Sequence, residues 1–329
     1  MRQILVAPDS FKGTFAAPEV ATAIGRGLER AGFVPPDLCP VADGGEGTLA
    51  ALLTALGGET DGAEVSDPLG RTVRAGFGLI EDGGTAVVEV AEASGLGRVA
   101  VEERDAEAAS SRGTGELIVA TLERGASVVL VAAGGSATTD GGAGAIEAIT
   151  EAGGLRGARL VVLCDVRTPY EAAARVFAPQ KGADPAAVRR LSKRLARLAE
   201  SWPRDPRGVA MTGAAGGLAG GLWAVFGAAL EPGAPFVLDA LDYDARMRGA
   251  AAVIVGEGKL DQTSLAGKAV GEAATRARQS GVPCFAIVGE DALGSFGARI
   301  LDLQRILEAS TLDAMAEAAA SLAPLLPSR

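Results

Sequence analysis

The sequence contains no histidine. That absence removes serine–histidine–aspartate triads, cysteine–histidine dyads, phosphohistidine chemistry and histidine-ligated zinc. Any general base must then be a carboxylate, a lysine or a tyrosine. Any metal must be a hard cation on oxygen ligands, with magnesium first among them. Cysteine is scarce too: Cys39, Cys164 and Cys284 stand apart and are odd in number, so they suggest neither a disulfide framework nor a CxxC metal site. Aromatic residues make up only 4%, which leaves Ala, Gly, Leu and Val to fill the core. Positive charge is outnumbered, 31 Lys and Arg against 41 Asp and Glu, for a net charge of −10. Such a chain has no general attraction for nucleic acid or an anionic membrane. No apolar run is long enough to span a bilayer, and the first, Ile4 to Ala7, ends at Pro8-Asp9, too short for a signal peptide. The expected location is the cytoplasm, and a homo-oligomer is left open.

What is present is an α/β pattern over 329 residues, enough for two cores. Ile4 to Ala7 reads as a buried strand, and Pro18 with Val20, Ile24 and Leu28 as a helix. Leu38 to Ala42 leads into Asp43-Gly44-Gly45-Glu46-Gly47, and Leu49, Leu52, Leu53 and Leu56 mark the helix behind it. The middle is richer in β signals, with Arg71 to Ile80 and Thr85 to Val90 joined by the turn Glu81-Asp82-Gly83-Gly84. Strands at Val128 to Ala132 and Leu160 to Leu163 follow, then an Arg-rich helix near Ala186 to Glu200. Ala251 to Val255 and Cys284 to Val288 read as strands around a helix from Gly267 to Arg278. The expected organisation is a discontinuous α/β domain, 1–62 plus 236–329, with a mixed α/β domain, 63–235, inserted in it.

Lysine usage carries the first chemical signal. Only five of the basic residues are lysines, and Lys12, Lys181, Lys259 and Lys268 each touch a glycine. A compact ammonium beside bare backbone suits phosphate binding. A Walker P-loop and the protein-kinase signatures are both missing. Gly134-Gly135-Ser136-Ala137-Thr138-Thr139-Asp140-Gly141-Gly142 lies between a strand and a helix, where backbone amides and hydroxyls can meet phosphate and Asp140 can hold Mg²⁺ or cap the helix. Asp9, Asp43, Asp165 and Glu257 follow strands, the positions from which ligand crevices of open α/β sheets are built. Asp261 lies close to Glu257 and Lys268 in the sequence. The echo between Asp43-Gly-Gly-Glu-Gly-Thr and Asp140-Gly-Gly-Ala-Gly-Ala has two readings: two Asp caps, or two helix N-termini offered to anions from opposite domains.

These residues together resemble bacterial glycerate kinase of type 1, nearly end to end. The likeness rests on Ala7-Pro8-Asp9-Ser10-Phe11-Lys12-Gly13, Ala42 to Thr48, Ser111-Arg112-Gly113-Thr114-Gly115-Glu116, Gly134 to Gly142, Cys164-Asp165-Val166, Phe177 to Ala183, Gly213 to Gly217, Gly256-Glu257-Gly258 and Gly267-Lys268. The resemblance implies a Rossmann-like or flavodoxin-like domain with an inserted α/β domain and a cleft, MgATP as donor, D-glycerate as acceptor, and 2-phosphoglycerate favoured over 3-phosphoglycerate. Within it, Asp9, Lys12, Asp43 and Lys181 are the expected catalytic residues. Ser10, Glu46, Arg112 and Lys268 are expected to bind substrate, and Gly134, Gly135, Ser136, Thr138 and Asp140 the nucleotide. Asp165 and Glu257 are the expected Mg²⁺ ligands. Thr168-Pro169 stands where the family has Asn-Pro, and the segment after it is short. That motivates two alternatives, a kinase of another small hydroxy acid and a non-catalytic metabolite-binding member.

Overall fold

The computed structural model describes residues 2–11 and 13–327, with Ala266 described by its backbone alone. The chain opens with β1 (Ile4–Pro8), α1 (Ala17–Arg30) and β2 (Asp37–Leu38). It continues through α2 (Thr48–Leu56), β3 (Glu59–Ser66), β4 (Thr72–Ile80) and β5 (Thr85–Glu89). Next come α3 (Val90–Ser94), α4 (Arg112–Glu123), β6 (Val128–Ala132), α5 (Ala143–Glu151) and β7 (Arg159–Cys164). They are followed by α6 (Ala173–Phe177), α7 (Pro185–Ser201), α8 (Leu218–Phe226) and β8 (Ala229–Pro232). After α9 (Gly233–Ala240) and α10 (Tyr243–Gly249), the chain forms β9 (Ala252–Gly256) and β10 (Lys259–Leu260). It closes with α11 (Ala269–Gln279), β11 (Cys284–Val288), β12 (Glu290–Asp291), α12 (Gly294–Leu301), β13 (Leu303–Glu308) and α13 (Leu312–Ser321).

Two compact units result: Met1–Asp43 with Ala234–Arg329, and Gly44–Gly233. The expected boundary at residue 62 moves to Asp43–Gly44, because α2 packs on β4 and β5 of the second unit. The first unit holds a parallel sheet in the order β13-β11-β9-β1-β2. Its central strands are buried on both faces, which is why they read as unbroken apolar runs. Val6, Ile254 and Ile287 face Val20, Ile24 and Leu28 of α1 and Met315 of α13. Pro18 fits the first turn of α1, where Glu19 Oε2 accepts the Ala16 N–H at 2.8 Å. From β1 the chain steps outward to β2, then returns to lay β9 on the other side of β1. The direction of strand addition therefore reverses between β1 and β9, the switch point at which such sheets bind ligands.

The second unit holds a mixed sheet in the order β3-β4-β5-β6-β7-β8. The β3–β4 and β4–β5 pairs are antiparallel, the rest parallel. Phe77, Val129, Val131 and Val162 meet Leu117 and Ile118 of α4, Ile149 of α5 and Leu218 and Leu222 of α8. The sequence pattern did not indicate β3: along Glu59–Ser66 only Val65 is buried, as befits an edge strand.

Gly27 shows how tightly α1 and α13 approach. A Cβ there would lie 2.1 Å from the Ala316 carbonyl oxygen and 2.8 Å from its carbon. Gly27→Ala should therefore destabilise the protein by about 1–3 kcal/mol in denaturant unfolding, against the ordinary helical preference for Ala. Gly249→Ala, at the end of α10 with nothing within 4 Å, should be neutral or stabilising in the same measurement.

Candidate functional site

The first unit gathers its charged residues where its parallel strands end. Pro8 pairs with Gly256, so Asp9 and Glu257 follow from neighbouring strand ends. They line a cavity of about 440 Å³ together with Ser10, Lys259, Lys268 and Ser310. The Asp9 N–H donates to the Gly256 carbonyl at 2.7 Å, and its Oδ1 accepts the Ser10 N–H at 2.6 Å. Glu257 is buried; its Oε1 accepts the Ser264 hydroxyl at 2.6 Å and its Oε2 lies 3.6 Å from Lys268 Nζ. Asp261 accepts the Thr263 hydroxyl and N–H, and that hydroxyl bond above all holds its carboxyl below the usual range. Lys259 pairs with Glu290 at 2.7 Å across the short β10–β12 ladder. The Ser10 hydroxyl oxygen is buried with no partner among the described residues. A buried hydroxyl left this way calls for a ligand or water. Four expected site residues thus share one pocket: Asp9, Ser10, Glu257 and Lys268.

The second unit builds its own edge at the ends of β5, β6 and β7. Glu89, the Gly134–Ser136 loop and half-buried Asp165 sit there. The Gly44–Gly47 loop lies over that edge. A Cβ on Gly134 would fall 2.5 Å from Gly45 Cα, and one on Gly44 would fall 2.7 Å from Gly233 Cα. Glycine is required for that approach, and Gly44 also has a φ of +90°. The loop leaves Glu46 exposed.

Both echoing helices belong to this one unit, not to opposite domains, and both N-termini are closed from within. Asp140 accepts from Gly142 N–H at 3.0 Å, Gly144 N–H at 3.2 Å and the Ser111 N–H and hydroxyl at 2.9 and 2.8 Å. The expected nucleotide contact is thus a buried helix cap. For α2 the carboxylate comes from Glu89, whose Oε1 accepts the Gly47 N–H at 3.0 Å and the Leu49 N–H at 2.8 Å. Burial pushes the Glu89 carboxyl up to about 7, against those amide bonds and with Glu92 and Glu46 adding to it. Sequence reading passed over Glu89, although it closes the apolar run Ala86–Val88 as the other strand-end acids close theirs.

The remaining expected residues fall in varied places. Lys181 is buried and donates to the Thr138 carbonyl at 2.5 Å. Burial lowers its ammonium to about 7, with Asp140 pulling the other way. Ser136 and Thr138 bond one another, 3.0 Å between hydroxyls, so much of the Gly134–Asp140 loop is internally satisfied. Gly135 is exposed, with a φ of +66°. Arg112 is held on the helix surface by Glu116, Glu147 and Glu151 at 3.0, 3.3 and 2.6 Å. Asp43 is buried at the end of the first unit's opening segment. Lys12 lies outside the described residues. Asp165 and Glu257 fall in different units. Among the described residues no group of three or more acidic or thiol side chains could cage a metal, and no helix is long and apolar enough to cross a membrane. Magnesium needs no such cage, since it commonly takes one or two carboxylates and completes its shell with phosphates and water. The carboxylates of Asp9 and Glu257 suit that pattern.

A model of the glycerate kinase family matches residues 4–153 and 150–325. A glycerate 2-kinase of Escherichia coli K12 is 38% identical over 326 residues, covering 87% of this chain and 85% of that one. A glycerate kinase of Halalkalibacterium halodurans is 38% identical over 328 residues, covering 88% and 86%. The crystal structure of a Salmonella typhimurium LT2 protein described as a glycerate kinase 2 superposes with a TM-score of 0.81 at 33% identity, over 98% of each chain.

Lys181 yields a pH test. Its folded value lies below that of an unfolded lysine, so the unfolded chain binds the extra proton between about 7 and the ordinary lysine value of 10.5. Stability from this group should therefore rise as pH climbs through that window. Lys181→Met should flatten the rise in thermal unfolding followed from pH 6 to pH 10, and should be more stable than the parent at the acid end.

Proposed function

Because the chain belongs to the glycerate kinase family, we propose that it transfers the terminal phosphoryl group of ATP to D-glycerate, releasing ADP and forming phosphoglycerate, with the 2-hydroxyl the favoured acceptor. The observation that supports it most is the pocket of about 440 Å³ at the β1/β9 switch point. Its size suits a nucleotide far better than a three-carbon acid. Its lining pairs ammonium groups with hydroxyls and carboxylates, the groups phosphoryl transfer needs.

In this reading the first unit binds the nucleotide. Lys268 and Lys259 offset phosphate charge, and the Ser10 hydroxyl bonds a phosphate oxygen. Gly258 and Gly289 let the backbone come close. Asp9 and Glu257 would hold magnesium, which when bound draws charge from the phosphates. D-glycerate binds at the carboxyl edge of the second unit's sheet, beside Glu46, Asp165 and the Gly134–Gly135 backbone. Asp43 accepts the proton of the acceptor hydroxyl, a role no histidine can take in this chain. Catalysis then rests on positioning and charge neutralisation.

ADP release from MgATP should depend on D-glycerate, and ³¹P NMR of the same mixture should show a phosphoglycerate. Folded protein that turns over tartronate or glycolate instead would overturn the choice of acceptor, and nucleotide binding without turnover would overturn the enzyme reading. Glu257→Gln and Lys268→Met should each lower kcat/KM for MgATP roughly 100-fold, measured on protein that keeps a cooperative melt.

A further inference from the structure

Helix α2 is preceded by Gly47 at its cap position, a residue with a φ of +94° and no side chain to close the first amides. The cap arrives instead from the end of β5. Glu89, 6% exposed, reaches both the Gly47 and the Leu49 N–H through the same carboxyl oxygen, Oε1. Elsewhere in the Gly44–Gly47 loop the glycine backbone comes close to the sheet edge, Gly44 against Leu163 and Gly233, and Gly45 against Gly134. Glu89 thus ties the loop bearing Glu46 to the sheet edge bearing Asp165 and Gly134.

We propose that Glu89 is the positioning residue of the acceptor-binding loop: by accepting from Gly47 and Leu49 it fixes Gly44–Gly47, and Glu46 with them, over the carboxyl edge of the second unit's sheet. The proposal rests on the reading that D-glycerate binds at that edge. Because Oε1 makes both bonds, Oε2 can take or lose a proton while the loop stays held. The charged groups facing it are Glu46 on the loop and Glu92 on α3. Glu92 in turn accepts from Arg98 at 3.2 Å and from the Gly76 N–H at 3.2 Å. Burial and these two acids place the titration of Glu89 near neutrality, at about 7. When Glu89 is neutral, an anionic acceptor beside Glu46 meets one like charge fewer. KM for D-glycerate therefore rises with pH through this value, while kcat changes less.

The test compares the full-length parent, Glu89→Gln and Glu89→Ala, each checked for a cooperative melt. KM and kcat for D-glycerate are measured from pH 5.5 to pH 8.5, and amide hydrogen exchange is followed by mass spectrometry over the Gly44–Leu52 segment. The parent should lose affinity roughly tenfold between pH 6 and pH 8. Glu89→Gln keeps an acceptor oxygen at the same reach without the titration, so its KM should be flat with pH and its exchange slow. Glu89→Ala should raise KM roughly 10- to 100-fold at every pH and speed exchange of this segment. A Glu89→Gln variant that keeps the parent's pH dependence would overturn the proton-linked part, and slow exchange with unchanged KM in Glu89→Ala would overturn the positioning role. If the parent shows no glycerate-dependent turnover, the acceptor reading fails, and the exchange comparison decides the positioning role by itself.

Discussion

The parallel pairing of Ile4–Pro8 with Ala252–Gly256 joins the two ends of the chain, and the first unit's chemistry depends on it. Strands so distant in sequence cannot pair until the intervening chain has been accommodated, so their contact carries a large loop-closure cost. Burial of both faces offsets that cost: Leu5, Val6, Val253 and Ile254 are all fully buried. The parallel direction has a chemical consequence. It brings both strand ends to the same side, so that Asp9 and Glu257 enter one pocket beside Lys268. Antiparallel pairing would have sent them to opposite ends of the sheet.

The second unit uses carboxylates differently. Asp140 and Glu89 are turned inward to close helix N-termini, Asp140 accepting from three amides and Glu89 from two, and at Glu89 burial outweighs those bonds. Glu46 and Asp165 keep more exposure at the same edge. The acids at this edge thus divide by burial, Asp140 and Glu89 closing helix starts while Asp165 is half-buried and Glu46 exposed. The same division separates the lysines. Lys268 faces a carboxylate across a partly open pocket, whereas Lys181 is sealed against a carbonyl, and burial lowers its proton affinity.

Local pattern made much of this legible. The runs Ile4 to Ala7, Val128 to Ala132 and Cys284 to Val288 are strands, and Leu49 to Leu56 lies on a helix, because periodicity and terminators suffice where burial is strong. The edge strand β3 escaped because its residues are half-exposed and polar. The Gly-flanked lysines pointed to phosphate, and Lys259 and Lys268 do line one pocket with Ser10. Arg112 sits in a family motif, yet its guanidinium is engaged by Glu116 one turn on along α4 and by Glu147 and Glu151 of the neighbouring α5. No single-residue reading separates such an arginine from one that meets a ligand.

By itself the sequence determined the absence of histidine chemistry, the α/β class and the placement of Asp9, Asp165 and Glu257 after strands. These follow from composition and from the alternation of apolar runs with glycine-rich turns, which are local properties. Tertiary structure alone decided which of those acids share a pocket and which helix start each buried carboxylate closes. It also decided that Glu89 rather than Asp43 caps α2. Those outcomes depend on strand order and on distances between residues far apart in the chain, and strand order is chosen by how whole faces pack rather than by any short stretch of residues.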